Sequence, residues 1–132
     1  MSMKNQTKTQ NRQLKILIVD DDEGILDAIS LILEDEGYTI ATVSDGNLVI
    51  KKVAGFKPDL ILLDVLLSGT DGREISKKLK SDGETKHIPI IMISAHPGAK
   101  KTLKKYGANA FLSKPFGADD LLKMIKKYID VT

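Results

Sequence analysis

Four short apolar runs in this 132-residue sequence end in, or run directly into, polar residues that could together handle a phosphoryl group. KILIVD leads into Asp20, Asp21 and Asp22; LILLD closes on Asp64; IPIIMIS closes on Ser94; AFL is followed by Ser113 and Lys114. Three carboxylates gathered at one edge repel one another unless a cation lies between them, and hard oxygen ligands without His or Cys select Mg²⁺ or Mn²⁺. Magnesium commonly uses one or two carboxylates, which leaves room beside Asp64 for a phosphoryl donor. Lys114, at a neighbouring strand end, supplies the fixed positive charge that phosphoryl transfer requires, and the Ser94 hydroxyl supplies a donor to a phosphate oxygen. These are the parts needed to make an aspartyl phosphate.

The elements that must position these residues alternate between short β-branched runs and helix-period segments, the pattern of strand-helix units around a parallel sheet. The run at 15–20 is too short for a helix and almost fully apolar, as a strand buried on both faces should be. Asp22 can cap the helix that follows, in which Ile25, Leu26, Ile29, Ile32 and Leu33 recur at three- and four-residue spacing until Gly37. The remaining spacing predicts strands at 39–43, 60–64, 90–94 and 110–112. Helices are expected over about 46–54, 72–81, 98–106 and 118–129. The expected fold is α/β: a (βα)₅, doubly wound, flavodoxin-like domain with a five-stranded parallel sheet. In such a sheet, ligands bind beyond the carboxyl ends of the strands, where strand order reverses.

Composition fits one soluble domain with an aliphatic core: 42% of residues are hydrophobic, only 5% are aromatic, and there is no Trp. The absence of Cys excludes disulfides, thiolate metal sites and a Cys nucleophile. No apolar run approaches the roughly 18 residues of a membrane span. The net charge of +2 hides a split. Residues 1–15 carry four basic residues and no acid, residues 16–95 carry eight basic and fifteen acidic residues, and residues 96–132 carry eight Lys and three Asp. The C-terminal lysines lack interleaved aromatics or Arg, so a solvated helix face is the better reading than a nucleic-acid surface. Residues 1–13 read as a disordered polar tail and 14–132 as the domain.

The segments ILIVDDDEGIL, PDLILLDVLLSGTDG, IPIIMISAH and AFLSKPF make the chain resemble the receiver domains of two-component response regulators, the chemotaxis regulators among them, over about residues 14–130. The spacings agree as well: 43 residues from Asp21 to Asp64, 30 on to Ser94 and 20 on to Lys114. The resemblance implies strand order 2-1-3-4-5, with Asp64 as phospho-acceptor and Mg²⁺ (or Mn²⁺) held by Asp20, Asp21, Asp64 and the Leu66 carbonyl. It implies phosphoryl contacts from Lys114, Ser94 and the backbone N–H groups of Val65, Leu66 and Ala95. Ser94 and Phe111 would form the switch pair, and the Lys114–Pro115 bond would be cis. It further implies a phosphoryl donor that is a sensor histidine kinase or phosphotransfer protein, a cytoplasmic location, and self-catalysed phosphorylation from small donors and self-hydrolysis. The output partner would be a downstream protein or a second copy, met through the face made by helix four, strand five and helix five. Neither a membrane nor nucleic acid is expected as a direct partner. Because the chain stops within two or three residues of its last helix, it is expected to be either a stand-alone receiver or an N-terminal domain taken from a larger regulator.

After Asp64 the family often has Met-Pro-Gly-Met-Asp-Gly, where this chain has Leu67, Ser68, Gly69, Thr70, Asp71 and Gly72. Other polar residues have plainer readings: Ser44 and Asp45 as a turn and cap, Asp119 and Asp120 as partners of a helix dipole, and His96 as a loop residue. The rival chemistry is that of haloacid-dehalogenase-like phosphatases, with Asp20 as nucleophile and Asp22, Ser94, Lys114, Asp119 and Asp120 in support. It gives Asp64 no role and puts its second acidic pair at a helix start. A pseudo-receiver used only for docking is disfavoured by the intact acidic set.

Overall fold

The structure, a computed structural model, describes residues 13–129. The expected polar tail therefore falls outside the described residues except for Gln13, whose side-chain oxygen accepts a hydrogen bond from the Thr39 hydroxyl at 2.7 Å. The chain runs β1 (Lys15–Val19), α1 (Glu23–Asp35), β2 (Thr39–Val43), a 3₁₀ turn (Gly46–Leu48), α2 (Val49–Phe56) and β3 (Leu60–Asp64). A two-stranded ribbon follows, β4 (Leu66–Leu67) and β5 (Thr70–Asp71), then α3 (Gly72–Ser81), β6 (Ile90–Ser94), 3₁₀ turns at Pro97–Thr102 and Lys104–Tyr106, β7 (Ala110–Ser113) and α4 (Ala118–Ile129). The main sheet is parallel, in the order β2-β1-β3-β6-β7. Counting its own strands alone, this is the expected 2-1-3-4-5.

The strands alternate their side chains between two apolar layers, as a pleat of period two requires. On one side Leu17, Val19, Ile61, Leu63, Ile90 and Met92 pack with Val49 and Val53 of α2 and Ile75 and Leu79 of α3. On the other, Ile16, Ile18, Leu60, Leu62, Ile91 and Ile93 pack with Leu26, Ile29 and Leu33 of α1 and Leu121 and Ile125 of α4. β3 and β6 are buried along their whole length, which explains why they read as unbroken apolar runs. α1 starts where expected, because the Asp22 side chain accepts from the backbone N–H groups of Gly24 and Ile25.

Residues 98–106 depart from expectation. The lysine-rich segment is not an α-helix but two 3₁₀ turns, closed by bonds such as Leu103 N–H to Lys100 O and Tyr106 N–H to Leu103 O, both 3.3 Å. Gly98, in the first turn, is a poor helix former, while Pro97 at the first position suits either path. An α-helix would also stack Lys100 on Lys104 and Lys101 on Lys105 as like-charge pairs. The ribbon β4–β5 was not expected either. It turns at Gly69, whose φ of +72° suits a residue without Cβ.

Candidate functional site

Register decides which polar residues meet. Val19 lies opposite Leu63, so the chain leaves β1 and β3 with Asp20 beside Asp64. Ser94 lies opposite Ser113, so Lys114 emerges next to the end of β6, where its N–H donates to the Ser94 carbonyl at 3.0 Å. The Lys114 ammonium then reaches across the sheet end to Asp20 Oδ2 at 2.9 Å and Asp64 Oδ2 at 3.5 Å. Both aspartates are nearly sealed, at 2% and 5% exposure. The Lys114–Pro115 peptide bond is cis, as expected.

Burial, and after it the charge of Asp20, raises the Asp64 pKa to about 6, although Lys114 and the Leu66 N–H pull it down. For Lys114, burial favours the neutral amine, but the bond to Asp20 and the charges of Asp64 and Asp20 outweigh it and raise its pKa. One lysine thus faces a pair of buried carboxylates. One carboxylate oxygen each from Asp20, Asp21 and Asp64 can be chosen so that all three lie within 4.8 Å of one another. This all-oxygen, net-negative cluster fits a hard divalent cation.

Asp21 and Asp22 separate from Asp20 in role. Asp20 Oδ1 accepts from the Asp22 N–H at 3.0 Å, and Asp22 caps α1. Asp21 is exposed, and its Oδ2 accepts from both the N–H (3.1 Å) and the hydroxyl (2.8 Å) of Ser68. Ser68 carries a contact that the sequence reading did not foresee. Its only advance sign was a serine where the resembling family often has proline.

The backbone donors expected around Asp64 divide. The Leu66 N–H points at Asp64 Oδ1, 3.3 Å away. Val65 corrects the expectation: its N–H donates to the Ile93 carbonyl at 3.0 Å, continuing the β3–β6 ladder, and so is not free for a phosphoryl oxygen. Ala95 is exposed beside Ser94. The Ser94 hydroxyl is buried, and its oxygen accepts from the His96 N–H at 2.9 Å. Phe111 is half-buried opposite Met92, two residues before the partner of Ser94, and packs in the layer that holds Leu103 and Tyr106.

Gly72 makes the site possible. A Cβ there would lie 2.1 Å from the Asp64 carbonyl oxygen, so only glycine lets α3 start directly against the end of β3. The next residue, Arg73, closes a bidentate pair with Asp71 (2.8 Å) and lies over the Tyr106 ring, 5.4 Å from its centroid. Of the residues in the rival phosphatase reading, Asp20 and Lys114 do meet, but Asp22 is engaged in capping α1. Asp119 and Asp120 are exposed in the first turn of α4, as helix-dipole partners should be.

With this geometry in view, comparison with known proteins is unambiguous about family. The model of the response regulator receiver domain matches residues 16–126. The response regulator PleD of Caulobacter vibrioides is 38% identical over 110 residues, covering 82% of this chain and 24% of that protein. The chain spans 24% to 49% of the length of such curated relatives. Among solved structures, the Vibrio cholerae chemotaxis protein CheY4 is 32% identical at a TM-score of 0.82, covering 88% of this chain and 98% of that one. The receiver domain of the sensor histidine kinase PA1611 of Pseudomonas aeruginosa, with magnesium coordinated in its active-site cleft, is 26% identical at a TM-score of 0.83. That match covers 90% of this chain and 99% of the other.

Proposed function

The chain belongs to the response regulator receiver domain family, and from that premise we propose that it is a phosphorylation-dependent switch with Asp64 as the acceptor. The observation that carries this reading is the convergence of two buried carboxylates, Asp20 and Asp64, on the single Lys114 ammonium. A donor phosphohistidine, on a sensor kinase or a phosphotransfer protein, presents its phosphorus to Asp64. An Asp64 oxygen attacks, the N–P bond breaks as the O–P bond forms, and the histidine leaves. Asp64 must be ionised to attack. Lys114 stays protonated and faces the charge that develops on the phosphoryl oxygens, together with the Leu66 and Ala95 N–H groups. Asp20, Asp21, Asp64 and the Leu66 carbonyl would hold Mg²⁺ or Mn²⁺, which when bound supplies the positive charge that lets an anionic donor approach three carboxylates. Small donors such as acetyl phosphate serve the same residues, and water attacking the acyl phosphate resets the switch.

The Ser94 oxygen already accepts a hydrogen bond from the His96 backbone, which leaves its own O–H to donate to a phosphoryl oxygen. Drawn toward the phosphoryl group, Ser94 vacates space for Phe111, shifting a population toward a second arrangement of β7 and its flanks. Those flanks carry exposed Lys100, Lys101, Lys104 and Lys105 on the 3₁₀ segment and Lys123, Lys126 and Lys127 on α4. This face is the output surface in the reading, for an acidic downstream protein or a second copy rather than nucleic acid, and the setting is the cytoplasm. With acetyl phosphate and Mg²⁺, the protein gains one phosphoryl group by intact mass, and Asp64→Ala gains none. A label that persists in Asp64→Ala and vanishes in Asp20→Ala overturns the assignment in favour of the phosphatase chemistry.

A further inference from the structure

Ser68 sits at the tip of the β4–β5 ribbon, followed by Gly69 at positive φ. It sends both of its donors to one oxygen of Asp21, the backbone N–H at 3.1 Å and the hydroxyl at 2.8 Å. Asp20 and Asp64 are fixed by burial and by Lys114. Asp21 has neither support. It is exposed, and a carboxylate there is free to sample rotamers in water unless something holds it. Two donors on Oδ2 remove that freedom and fasten the ribbon to the end of β1. Among the described residues no donor is recorded on Oδ1, which remains available to a cation. A carboxylate has lone pairs on both oxygens, so the hold from Ser68 would be compatible with Asp21 serving as a metal ligand.

We propose that Ser68 is a positioning residue for Asp21, pre-setting this carboxylate as a metal ligand; the proposal rests on the reading of Asp20, Asp21 and Asp64 as a Mg²⁺ site. Proline, which the resembling family often has at this place, has neither an N–H nor a hydroxyl, so this chain has a contact that proline cannot make. Hydrogen-bond partners of metal-ligating carboxylates orient the ligand, and their removal typically weakens metal binding by about ten- to a hundredfold. Ser68 is exposed, so substitutions at the ribbon tip leave the core layers intact.

The test is Mg²⁺ titration by calorimetry on the full chain and on Ser68→Thr, Ser68→Val and Ser68→Pro. Ser68→Thr keeps the hydroxyl and should bind like the parent. Ser68→Val, of the same shape but without the hydroxyl, should bind about tenfold more weakly, and Ser68→Pro more weakly still. Metal-free melts supply a second readout: Ser68→Val should lower the midpoint in the parent background and leave it unchanged in an Asp21→Ala background. Parent-like Mg²⁺ affinity in both Ser68→Val and Ser68→Pro overturns the Ser68 assignment while leaving the site reading intact. Equal loss of midpoint in both backgrounds also overturns it. A parent protein that takes up no Mg²⁺ overturns the cation site itself, and the Ser68 assignment falls with it.

Discussion

Replacing Asp64 by Asn should stabilise the metal-free protein while abolishing phosphorylation. The Asp64 side chain is 8% exposed, and its pKa is raised from 3.8 to about 6 by burial and by Asp20, against the pull of Lys114. The folded state therefore holds its proton more tightly than the unfolded chain. Between about pH 4 and pH 6 stability falls as pH rises, and above pH 6 the full penalty of ionising Asp64 is present. A rise of about two units, at about 1.36 kcal/mol per unit, sets that penalty at about 3 kcal/mol. Asn keeps the shape and removes the charge, and the attraction of Lys114 that it forfeits is already included in a pKa of about 6. In chelator at pH 8, Asp64→Asn should be more stable by about 2–3 kcal/mol, or roughly 10 °C in melting midpoint for a domain of this size. At pH 4, where Asp64 is protonated in the parent, the gap should close. Adding Mg²⁺ should stabilise the parent by mass action and Asp64→Asn much less. Urea or thermal unfolding followed by circular dichroism across pH 4–8 measures the gap. A variant no more stable than the parent at pH 8, or a gap that does not narrow below pH 6, refutes the reasoning.

Three further outcomes follow from neighbouring contacts. Lys114→Met leaves Asp20 and Asp64 without their shared cation and should destabilise the metal-free protein by about 3 kcal/mol at pH 7.5, less at pH 5 where Asp64 is partly protonated, as read by urea unfolding. Gly72→Ala drives a methyl group to within 2.1 Å of the Asp64 carbonyl and should cost about 3 kcal/mol or more, seen as a lowered melting midpoint, whereas Gly83→Ala, whose Cβ meets nothing, should not. Arg73→Ala loses the bidentate pair with Asp71 and the contact over Tyr106, and should speed hydrogen exchange in residues 97–107 with little change in the strands.

The sequence by itself determined the frame and named the polar residues at its strand ends. Runs such as LILLD and IIMIS are apolar at every position but the last, a pattern that suits a strand covered on both faces, and their terminal Asp64 and Ser94 then fall together at one sheet edge. The Asp22 cap was legible because capping is local, joining residues two and three apart. Tertiary structure decided everything that depends on which strand stands beside which. Three consecutive aspartates look alike in the sequence. Pairing of Val19 with Leu63 buries Asp20 against Asp64, and leaves Asp21 outside in the reach of Ser68, 47 residues away. The Val65 N–H could be assigned only once β6 supplied the Ile93 carbonyl as its partner. Residues 98–106 have a helical spacing of apolar and basic positions, yet Gly98 and paired lysines left local preference weak enough for packing against α3 to settle a 3₁₀ path. Local hydrogen bonds and hydrophobic period are written in neighbouring residues, whereas a site made of four strand ends is fixed by long-range register.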